Sequence, residues 1–312
     1  MTKRKIIIGA FVGGKGFKCA AFDLMTKSII EGSVVEGRVD KDAGNRHIIP
    51  LWSMKIKNSI KSINENELLG IGFSIPGPFD YKNGIGDYRG VPKYEQLNGC
   101  NITQELLKRL MLNKPVEIRY INDAIGFALG QEWLSTINSK KGISIILDTG
   151  LGSAFLVDQL PVLNGDGVPS QGAAYRIPFL DGIAEDYFSI RGLLREFSNQ
   201  ETPDSSVFQN KIQKVNKSDE DLIVFKNFGH RLGEFLIPTL KKFRPEYISF
   251  GGVIGSQLAF FKESLNDILL AENLNIKLQL PEVGDDAFMY GGARLFDEKY
   301  WSRIKPLLNQ MD

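Results

Sequence analysis

Three glycine-rich turns of this 312-residue chain have the composition of anion-binding loops. They read VGGKG at residues 12–16, DTGLGS at residues 148–153 and GGVIG at residues 251–255. A glycine-rich turn after a strand exposes successive backbone N–H groups, and it lets a phosphate approach where a Cβ atom would clash. A β-hairpin uses glycine for its own turn geometry as well, so each turn taken singly has two interpretations. The three turns together favour phosphate binding.

The pair Asn122–Asp123 stands between a predicted strand and a predicted helix, so Asp123 places a carboxylate at the start of the helix. A carboxylate just inside a helix N-terminus is held ionised by the helix dipole. An ordinary helix cap is the alternative interpretation of the pair, because Asn and Asp are preferred N-cap residues.

The elements that must position these residues alternate in type, which is typical of an α/β protein with a largely buried sheet. The first half begins with three predicted strands that form hairpins, KIIIGAFV, GFKCAAFDL and SIIEGSVVEG. A helix near residues 47–64 follows, and then the strand LLGIGFSI, the helix ITQELLKRLML, the strand VEIRYI and the helix NDAIGFALGQEWL.

The second half opens in the same way, with the strand GISIILD, a glycine turn and the strand SAFLVD. Helices are predicted near residues 183–199 and 219–241, and the polar residues 200–220 predict a loop with a short helix. The strand and turn YISFGGVIG, a helical stretch, the short strand IKLQL and a terminal helix complete the chain. Two halves that open alike suggest a duplicated α/β unit with a cleft between the copies.

The composition excludes several classes of protein. The chain is 43% hydrophobic and 24% charged, which describes a soluble globular protein, and its length suggests about two domains. The formal charge of +1 provides no field for general nucleic-acid binding. The only cysteines, Cys19 and Cys100, are far apart, which argues against a disulfide scaffold or a thiolate zinc site. The same cysteine usage predicts a cytoplasmic protein. No segment reaches the ~20 apolar residues that span a bilayer, so no membrane partner is expected.

Five segments, in order along the chain, resemble the ROK family, which groups bacterial sugar kinases with sugar-responsive repressors. GIGFSIPGPFD at residues 70–80 resembles the family's GIGxxxPGPxD stretch, and INDA at residues 121–124 resembles its NDA helix start. ILDTGLG at 146–152, EDYFS at 185–189 and ISFGGVI at 248–254 are similar to its second phosphate loop, its E-x-Y-x-S motif and its adenosine loop. The matches run from residue 6 to about residue 293 in family order.

The resemblance implies the two-domain actin-like ATPase fold, an α/β and ribonuclease H-like fold with an interdomain cleft. It also implies an ATP-dependent, glucokinase-like sugar kinase, with Asp123 as general base for a hydroxyl of a hexose or amino sugar. The further residues expected to bind the sugar are Gly77, Pro78, Asn122, Arg176 and Glu185. Gly77–Pro78 has a plain turn as its alternative interpretation.

The resemblance also implies a nucleotide site built from the three glycine turns. ATP with Mg²⁺ is the expected donor, and polyphosphate is a second option, because some zinc-free relatives use it. The residues expected to bind the donor are Gly13, Gly14, Lys15, Asp148, Thr149, Gly150, Gly152, Gly251 and Gly252.

Three motifs depart from the family pattern. The first phosphate loop, D-x-G-G-T in the family, begins at Phe11 here, so the acidic residue that assists Mg²⁺ binding is missing, and Lys15 replaces the threonine. The family's GxxGExGH falls on residues 172–179, where Arg176 replaces a sugar-binding glutamate and Phe179 a histidine. Only the glutamate of the zinc motif CxCGxxGCxE remains, so no structural zinc is expected.

The sequence leaves open whether other residues compensate for these losses. Asp148, where the family usually has glycine, either supplies a carboxylate to Mg²⁺ or caps its own turn. Lys15 either contacts phosphate or is a solvated hairpin lysine. Arg176 either pairs with Glu185 or Asp181, or recognises an anionic sugar through its guanidinium fork.

The predicted organisation is a small N-terminal α/β domain of residues 1–121, a large α/β domain of residues 122–294, and a final helix of residues 295–312. Whether this helix packs back on the first domain is left open by the sequence. The alternative to a kinase is a catalytically degenerate sugar- or nucleotide-binding protein of the same fold. The first phosphate strand starts near residue 6 and leaves no room for a preceding DNA-binding domain, which disfavours the repressor branch. A homodimer is expected only from the resemblance.

Overall fold

The chain forms two compact units in a computed structural model that describes residues 4–14, 16–39, 44–91, 94–134, 140–197, 212 and 218–311. One unit comprises Met1–Thr136 together with Asp286–Asp312, and the other comprises Ile137–Asp285. The division therefore falls after Thr136 rather than after residue 121, and the chain re-enters the first unit at Asp286 rather than near residue 295.

The first unit is built around a six-stranded sheet in the order β3-β2-β1-β5-β8, with β4 paired to β2. Its strands are β1 (Ile6–Gly13), β2 (Gly16–Asp23), β3 (Ser28–Ile29), β4 (Val35–Arg38), β5 (Leu68–Ile75) and β8 (Glu117–Asn122). The strands β1, β5 and β8 run parallel, whereas β1 and β2 form an antiparallel hairpin closed at the pair Gly13 and Gly16. Buried residues fill almost all of β1 and β5, as expected for strands covered on both faces.

Helices and a short hairpin complete the first unit. The helices are α1 (Asn45–Ile60), α2 (Ile102–Leu110), α3 (Asp123–Leu134), α9 (Ala287–Arg294) and α10 (Glu298–Ile304), and the hairpin strands are β6 (Phe79–Asp80) and β7 (Ile85–Gly86). The side chain of Asn101 caps α2 by accepting a hydrogen bond from the Gln104 amide at 2.9 Å.

Glycine contacts explain why α3 and α9 belong to the first unit. A Cβ atom on Gly291 of α9 would overlap the Gly126 carbonyl of α3, and a Cβ on Gly130 would overlap the Ala287 carbonyl. A Cβ on Gly72 of β5 would likewise overlap the backbone of Gly292. The two helices and the sheet therefore approach to a distance that only glycine permits. The predicted boundary at residue 121 separates α3 from these partners.

A buried arginine attaches the segment after α9 to the sheet. The guanidinium of Arg119, on β8, lies 4.4 Å from the Phe296 ring and 4.3 Å from the Trp301 ring. It also donates a hydrogen bond of 2.6 Å to the Leu295 carbonyl. Stacking on two aromatic rings together with a backbone hydrogen bond fixes this segment on β8.

The second unit has a five-stranded sheet in the order β11-β10-β9-β14-β15. Its strands are β9 (Lys141–Leu147), β10 (Leu151–Val157), β11 (Leu160–Pro161), β14 (Tyr247–Gly251) and β15 (Lys277–Gln279), with a separate hairpin of β12 (Pro178–Phe179) and β13 (Gly182–Ile183). The helices are α4 (Ala184–Tyr187), α5 (Ile190–Phe197), α6 (Asp219–Phe243), α7 (Gly252–Gly255) and α8 (Leu258–Ala271). As in the first unit, an antiparallel hairpin, β9–β10, continues into parallel pairing, here with β14.

Two predicted elements differ in the structure. The segment SIIEGSVVEG gives two strands, β3 and β4, because Gly32 turns the chain with a φ of 74°. The predicted terminal helix divides into α9, α10 and a final 3₁₀ turn at Lys305–Gln310. Most of the loop predicted at residues 200–220 lies outside the described residues. Within the described part of the chain, no helix has the length and apolar character to cross a membrane.

Candidate functional site

The pair Asn122–Asp123 lies where β8 ends and α3 begins. The Asn122 side chain caps α3, since its Oδ1 accepts hydrogen bonds from the amides of Ala124 at 3.0 Å and Ile125 at 3.3 Å. Asp123 is half-buried at the first helical position, and its Oδ1 accepts from the Ala124 amide at 2.9 Å. The capping interpretation thus applies mainly to Asn122. The helix dipole stabilises the Asp123 charge.

Two other predicted motifs lie at the same edge of this sheet. β5 runs parallel to β8 with Ile75 paired to Asn122, so Gly77 and Pro78 follow β5 beside the Asn122–Asp123 pair. β1 runs parallel to β5 on its other side, and the turn at Gly13 follows β1. In open α/β sheets, ligands bind outside the carboxyl ends of parallel strands. The structure therefore brings together three segments that the sequence predicted separately. Gly77–Pro78 is a cis peptide bond.

Buried tyrosines surround these strand ends, and the sequence reasoning missed them. Tyr81, Tyr88 and Tyr94 are each at most 1% exposed. Tyr81 accepts a hydrogen bond from Asn122 Nδ2 at 3.2 Å. Burial raises the pKa of Tyr88 and of Tyr94 well above the usual value, and the charge of Asp123 adds to this shift. The phenols therefore stay protonated and act as hydrogen-bond donors. Aromatic residues at 79, 81, 88 and 94 were the available sequence signal.

An aromatic stack occupies the position of the missing acidic residue. The Phe11 ring stacks on Phe288 with centroids 4.0 Å apart, and Phe288 also packs against Phe127 at 4.9 Å. A Cβ atom on Gly13 would lie 2.7 Å from the Phe11 ring, so the glycine accommodates the aromatic side chain. Position 11 thus contributes to packing. Gly14 is half-buried, and Lys15 lies outside the described residues.

In the second unit, Asp148 joins two of the predicted glycine turns. Its Oδ1 accepts hydrogen bonds from the Thr149 amide at 2.6 Å and the Thr149 hydroxyl at 3.0 Å. Its Oδ2 accepts from the amide of Val253, in α7, at 3.1 Å. The neighbouring Gly252 has a φ of 79°, and its amide donates to Asp285 at 3.1 Å. Asp148 therefore caps its own turn and also fixes the start of α7 just after Gly251.

Glu185 lies directly against the second glycine turn. Its Oε2 accepts a hydrogen bond from the Leu151 amide at 3.1 Å. A Cβ atom on Gly150 would lie 2.5 Å from the same oxygen, so a larger residue there would displace the Glu185 carboxylate. Gly152 pairs with Ile146 across the β9–β10 hairpin. The predicted sugar-binding residue and the predicted phosphate-binding turn are therefore neighbours within the second unit.

The other two departures from the family pattern have different surroundings. Arg176 is exposed, and its guanidinium lies 5.0 Å from the Tyr175 ring. Among the residues that the structure describes, no carboxylate forms an ion pair with Arg176, so the pairing considered with Glu185 or Asp181 is not formed. Phe179 is half-buried and packs against the core of the second unit, with its ring 5.3 Å from Tyr187.

The described residues contain no group of three or more His, Cys, Asp or Glu side chains that could hold a metal ion. Two surface cavities of the first unit also lack the predicted site residues. One, of about 330 Å³, includes Arg4, Ile6 and Glu67 at the amino ends of β1 and β5, away from the carboxyl edge. The other, of about 430 Å³, lies on α1 and Arg109 of α2.

Two sheets that each combine an antiparallel hairpin with parallel strands, flanked by helices, define the two-domain α/β fold of actin-like ATPases. The fold class predicted from the sequence is confirmed. The ROK family model matches residues 8–299, and the chain belongs to this family. The family contains sugar kinases and also transcriptional regulators. No curated protein sequence matches the chain.

Solved structures of ROK proteins share the fold at low sequence identity. A ROK family glucokinase from Streptomyces griseus, in complex with glucose and AMPPNP, is 16% identical over 93% of this chain and 98% of its own, with a TM-score of 0.72. An inorganic polyphosphate/ATP-glucomannokinase from Arthrobacter is 18% identical, covers 92% and 96% of the two chains, and has a TM-score of 0.66. A ROK transcriptional regulator, a homologue of the E. coli MLC protein, is 14% identical over 93% of this chain and 80% of its own, with a TM-score of 0.68.

Proposed function

We propose that the chain is an ATP-dependent kinase that phosphorylates a hydroxyl of a hexose or amino sugar. The observation that carries this proposal is the position of Asp123 at the carboxyl edge of the first sheet, where it begins α3 beside the Gly77–Pro78 segment. Family membership and the complex of the Streptomyces relative with glucose and AMPPNP support it.

In the proposed reaction, the Asp123 carboxylate orients one sugar hydroxyl and accepts its proton. The hydroxyl oxygen forms a bond to the γ-phosphorus as the bond from that phosphorus to the oxygen of ADP breaks. Gly77, Pro78 and Asn122 are proposed to position the sugar, because positioning is most of what phosphoryl transfer requires of a protein. The sugar contacts of Arg176 and Glu185 stay predictions.

The glycine turns are proposed to bind the donor phosphates through backbone N–H groups. A bound divalent ion would neutralise phosphate charge in such a reaction. Asp148 is the predicted Mg²⁺ ligand, but it fits this role poorly, because both of its oxygens already accept hydrogen bonds from the protein. We therefore assign Asp148 no step in the transfer. Polyphosphate is kept as an alternative donor, since the Arthrobacter relative is named for both donors.

The second candidate function is sugar or nucleotide binding without catalysis. Specific observations favour it, since an aromatic stack replaces the acidic residue at Phe11 and Phe179 packs against the core of the second unit. A kinase with these replacements has to neutralise the donor's charge by other means.

A coupled assay of ADP release over a panel of neutral hexoses, amino sugars, sugar acids and sugar phosphates separates the two functions. Parallel reactions with polyphosphate detect sugar phosphate directly. Turnover in wild type that is lost in Asp123→Asn supports the kinase. The binding protein is supported instead if calorimetry detects binding of a sugar or of ATP, but neither ATP nor polyphosphate gives turnover with any sugar of the panel.

A further inference from the structure

Three buried hydroxyls of the segment between β5 and α2 donate to backbone carbonyls at two strand ends. The Tyr94 hydroxyl donates to the carbonyl of Gly13, the last residue of β1, at 2.8 Å. The Tyr88 hydroxyl donates to the Pro76 carbonyl at 2.8 Å, after β5, and the Tyr81 hydroxyl donates to Ile75 at 3.4 Å. Each bond therefore ends beside a segment proposed to bind a ligand.

The two shorter bonds fix the direction of particular amides. A peptide unit is planar, so the carbonyl of one residue and the N–H of the next share a plane and point in opposite directions when the bond is trans. The Gly13 carbonyl shares its plane with the Gly14 N–H, and the Pro76 carbonyl shares its plane with the Gly77 N–H. Because each carbonyl points at a buried hydroxyl, each glycine N–H points away from the tyrosines.

Packing keeps the two hydroxyls in place. The rings of Tyr88 and Tyr94 lie 6.1 Å apart, and Tyr94 also contacts Trp52 edge-on at 6.0 Å. Tyr94 has a φ of 58°, a left-handed conformation that is uncommon for a bulky side chain. Such outliers persist only where the surrounding structure determines them, and they cluster at functional sites.

We propose that Tyr94 and Tyr88 are positioning residues that aim two ligand-binding amides. Tyr94 directs the Gly14 N–H toward a phosphate of the donor, and Tyr88 directs the Gly77 N–H toward a hydroxyl of the sugar. The ligands assigned to the two amides rest on the proposed function, whereas the aiming itself rests on the hydrogen bonds alone. The two tyrosines therefore act on different ligands.

Tyr94→Phe and Tyr88→Phe test this division, with Tyr120→Phe as the matched control. Tyr120 is as buried as the other two and packs in the same aromatic region, 5.1 Å from Phe79, but its hydroxyl pairs with the Thr103 hydroxyl at 3.0 Å. Each variant loses one buried oxygen, so a general loss of stability affects all three alike.

Separate calorimetric titrations with ATP and with the best sugar of the panel give the first readout. We expect Tyr94→Phe to weaken ATP binding by about 3–10-fold and Tyr88→Phe to weaken sugar binding by a similar factor, the equivalent of one lost hydrogen bond. The other ligand, and both ligands in Tyr120→Phe, should change by less than about twofold. Equal effects on both ligands, or effects no larger than those of the control, would overturn the proposal.

Amide hydrogen exchange without ligand gives a second readout that does not require kinase activity. Exchange should increase in peptides containing Phe11–Gly14 in Tyr94→Phe, and in peptides containing Pro76–Pro78 in Tyr88→Phe, but in neither in Tyr120→Phe. Unchanged exchange relative to the control overturns the positioning roles. A wild type that binds neither ligand but shows the exchange differences supports the aiming of the amides and rejects the proposed function.

Discussion

Replacing Asp148 tests whether its carboxylate caps the second glycine turn or binds a metal ion. The carboxylate accepts two backbone N–H groups, from Thr149 and Val253, and the Thr149 hydroxyl. Asp148→Ala removes all three bonds. In Asp148→Asn, the amide oxygen can accept on one side only, and its NH₂ group faces an N–H donor on the other. The structure thus predicts a graded series in which Asn is intermediate.

The expected loss follows from the hydrogen bonds. A bond to a charged group contributes about 1.5–3 kcal/mol, but Asp148 is partly exposed, and water replaces part of what is lost. We therefore expect Asp148→Ala to lower the free energy of unfolding by about 2–3 kcal/mol and Asp148→Asn by roughly half of that. A unit of this size shifts its melting temperature by about 2–4 °C per kcal/mol.

Thermal unfolding followed by circular dichroism measures the stability series, with Asp166→Ala as the control at an exposed aspartate. Calorimetric titration of ATP with and without Mg²⁺ measures the metal role in the same proteins. If Asp148→Ala melts like Asp166→Ala and loses affinity only for Mg²⁺-bound ATP, the capping argument is refuted and Asp148 is a metal ligand.

Three further predictions concern single side chains. Asp123→Asn should lose about 10²-fold or more in turnover, because the proton acceptor is lost, while sugar affinity changes by about tenfold at most, because the shape of the side chain is kept. Full turnover of the variant in steady-state kinetics would assign Asp123 to capping alone. Arg176 is an exposed group that can only donate hydrogen bonds, so sugars with a carboxylate or phosphate should raise the melting temperature more than neutral sugars. Arg176→Gln should abolish this difference, and stabilisation by neutral sugars only would contradict the prediction. Burial raises the pKa of Glu196 to about 7, against the lowering effect of Arg231, so the folded state holds this proton more tightly than the unfolded chain. The stabilisation that protonated Glu196 contributes is therefore complete at low pH and is lost as the pH rises toward about 7. The melting temperature of wild type should rise relative to that of Glu196→Gln as the pH falls from about 8 to about 5. A difference in melting temperature that stays constant over this range would refute the raised pKa.

Local chemistry made part of the fold and the candidate site predictable from sequence. The strand β5 has the predicted bounds, because an apolar run stands between the polar residues Glu65–Glu67 and Pro76. The start of α3 was predicted because Asn122 and Asp123 combine a cap with a following helical pattern. Both signals depend on neighbours within a few residues.

Contacts between distant residues were not predictable in the same way. The bond from Val253 to Asp148 joins residues 105 positions apart, and that from Tyr94 to Gly13 joins residues 81 positions apart. The sequence showed that Phe11 removes an acidic group, but its stacking on Phe288 depends on the packing of α9 against the sheet. Periodicity and turn composition carry no information about such pairs.

The two-segment construction of the first unit also sets an order of events during synthesis. Residues 4–134 leave the ribosome early, but the close contacts of Gly72 and Gly126 with α9 form only after Arg294, its last residue, has been made. At about 5–20 residues per second, this delay lasts roughly 10–30 s. The second unit is continuous in sequence and can complete its own sheet first. During that interval we expect the nascent chain to expose the apolar surface that α9 later covers, so substitutions that weaken α9 are expected to reduce the yield of folded protein more than its final stability.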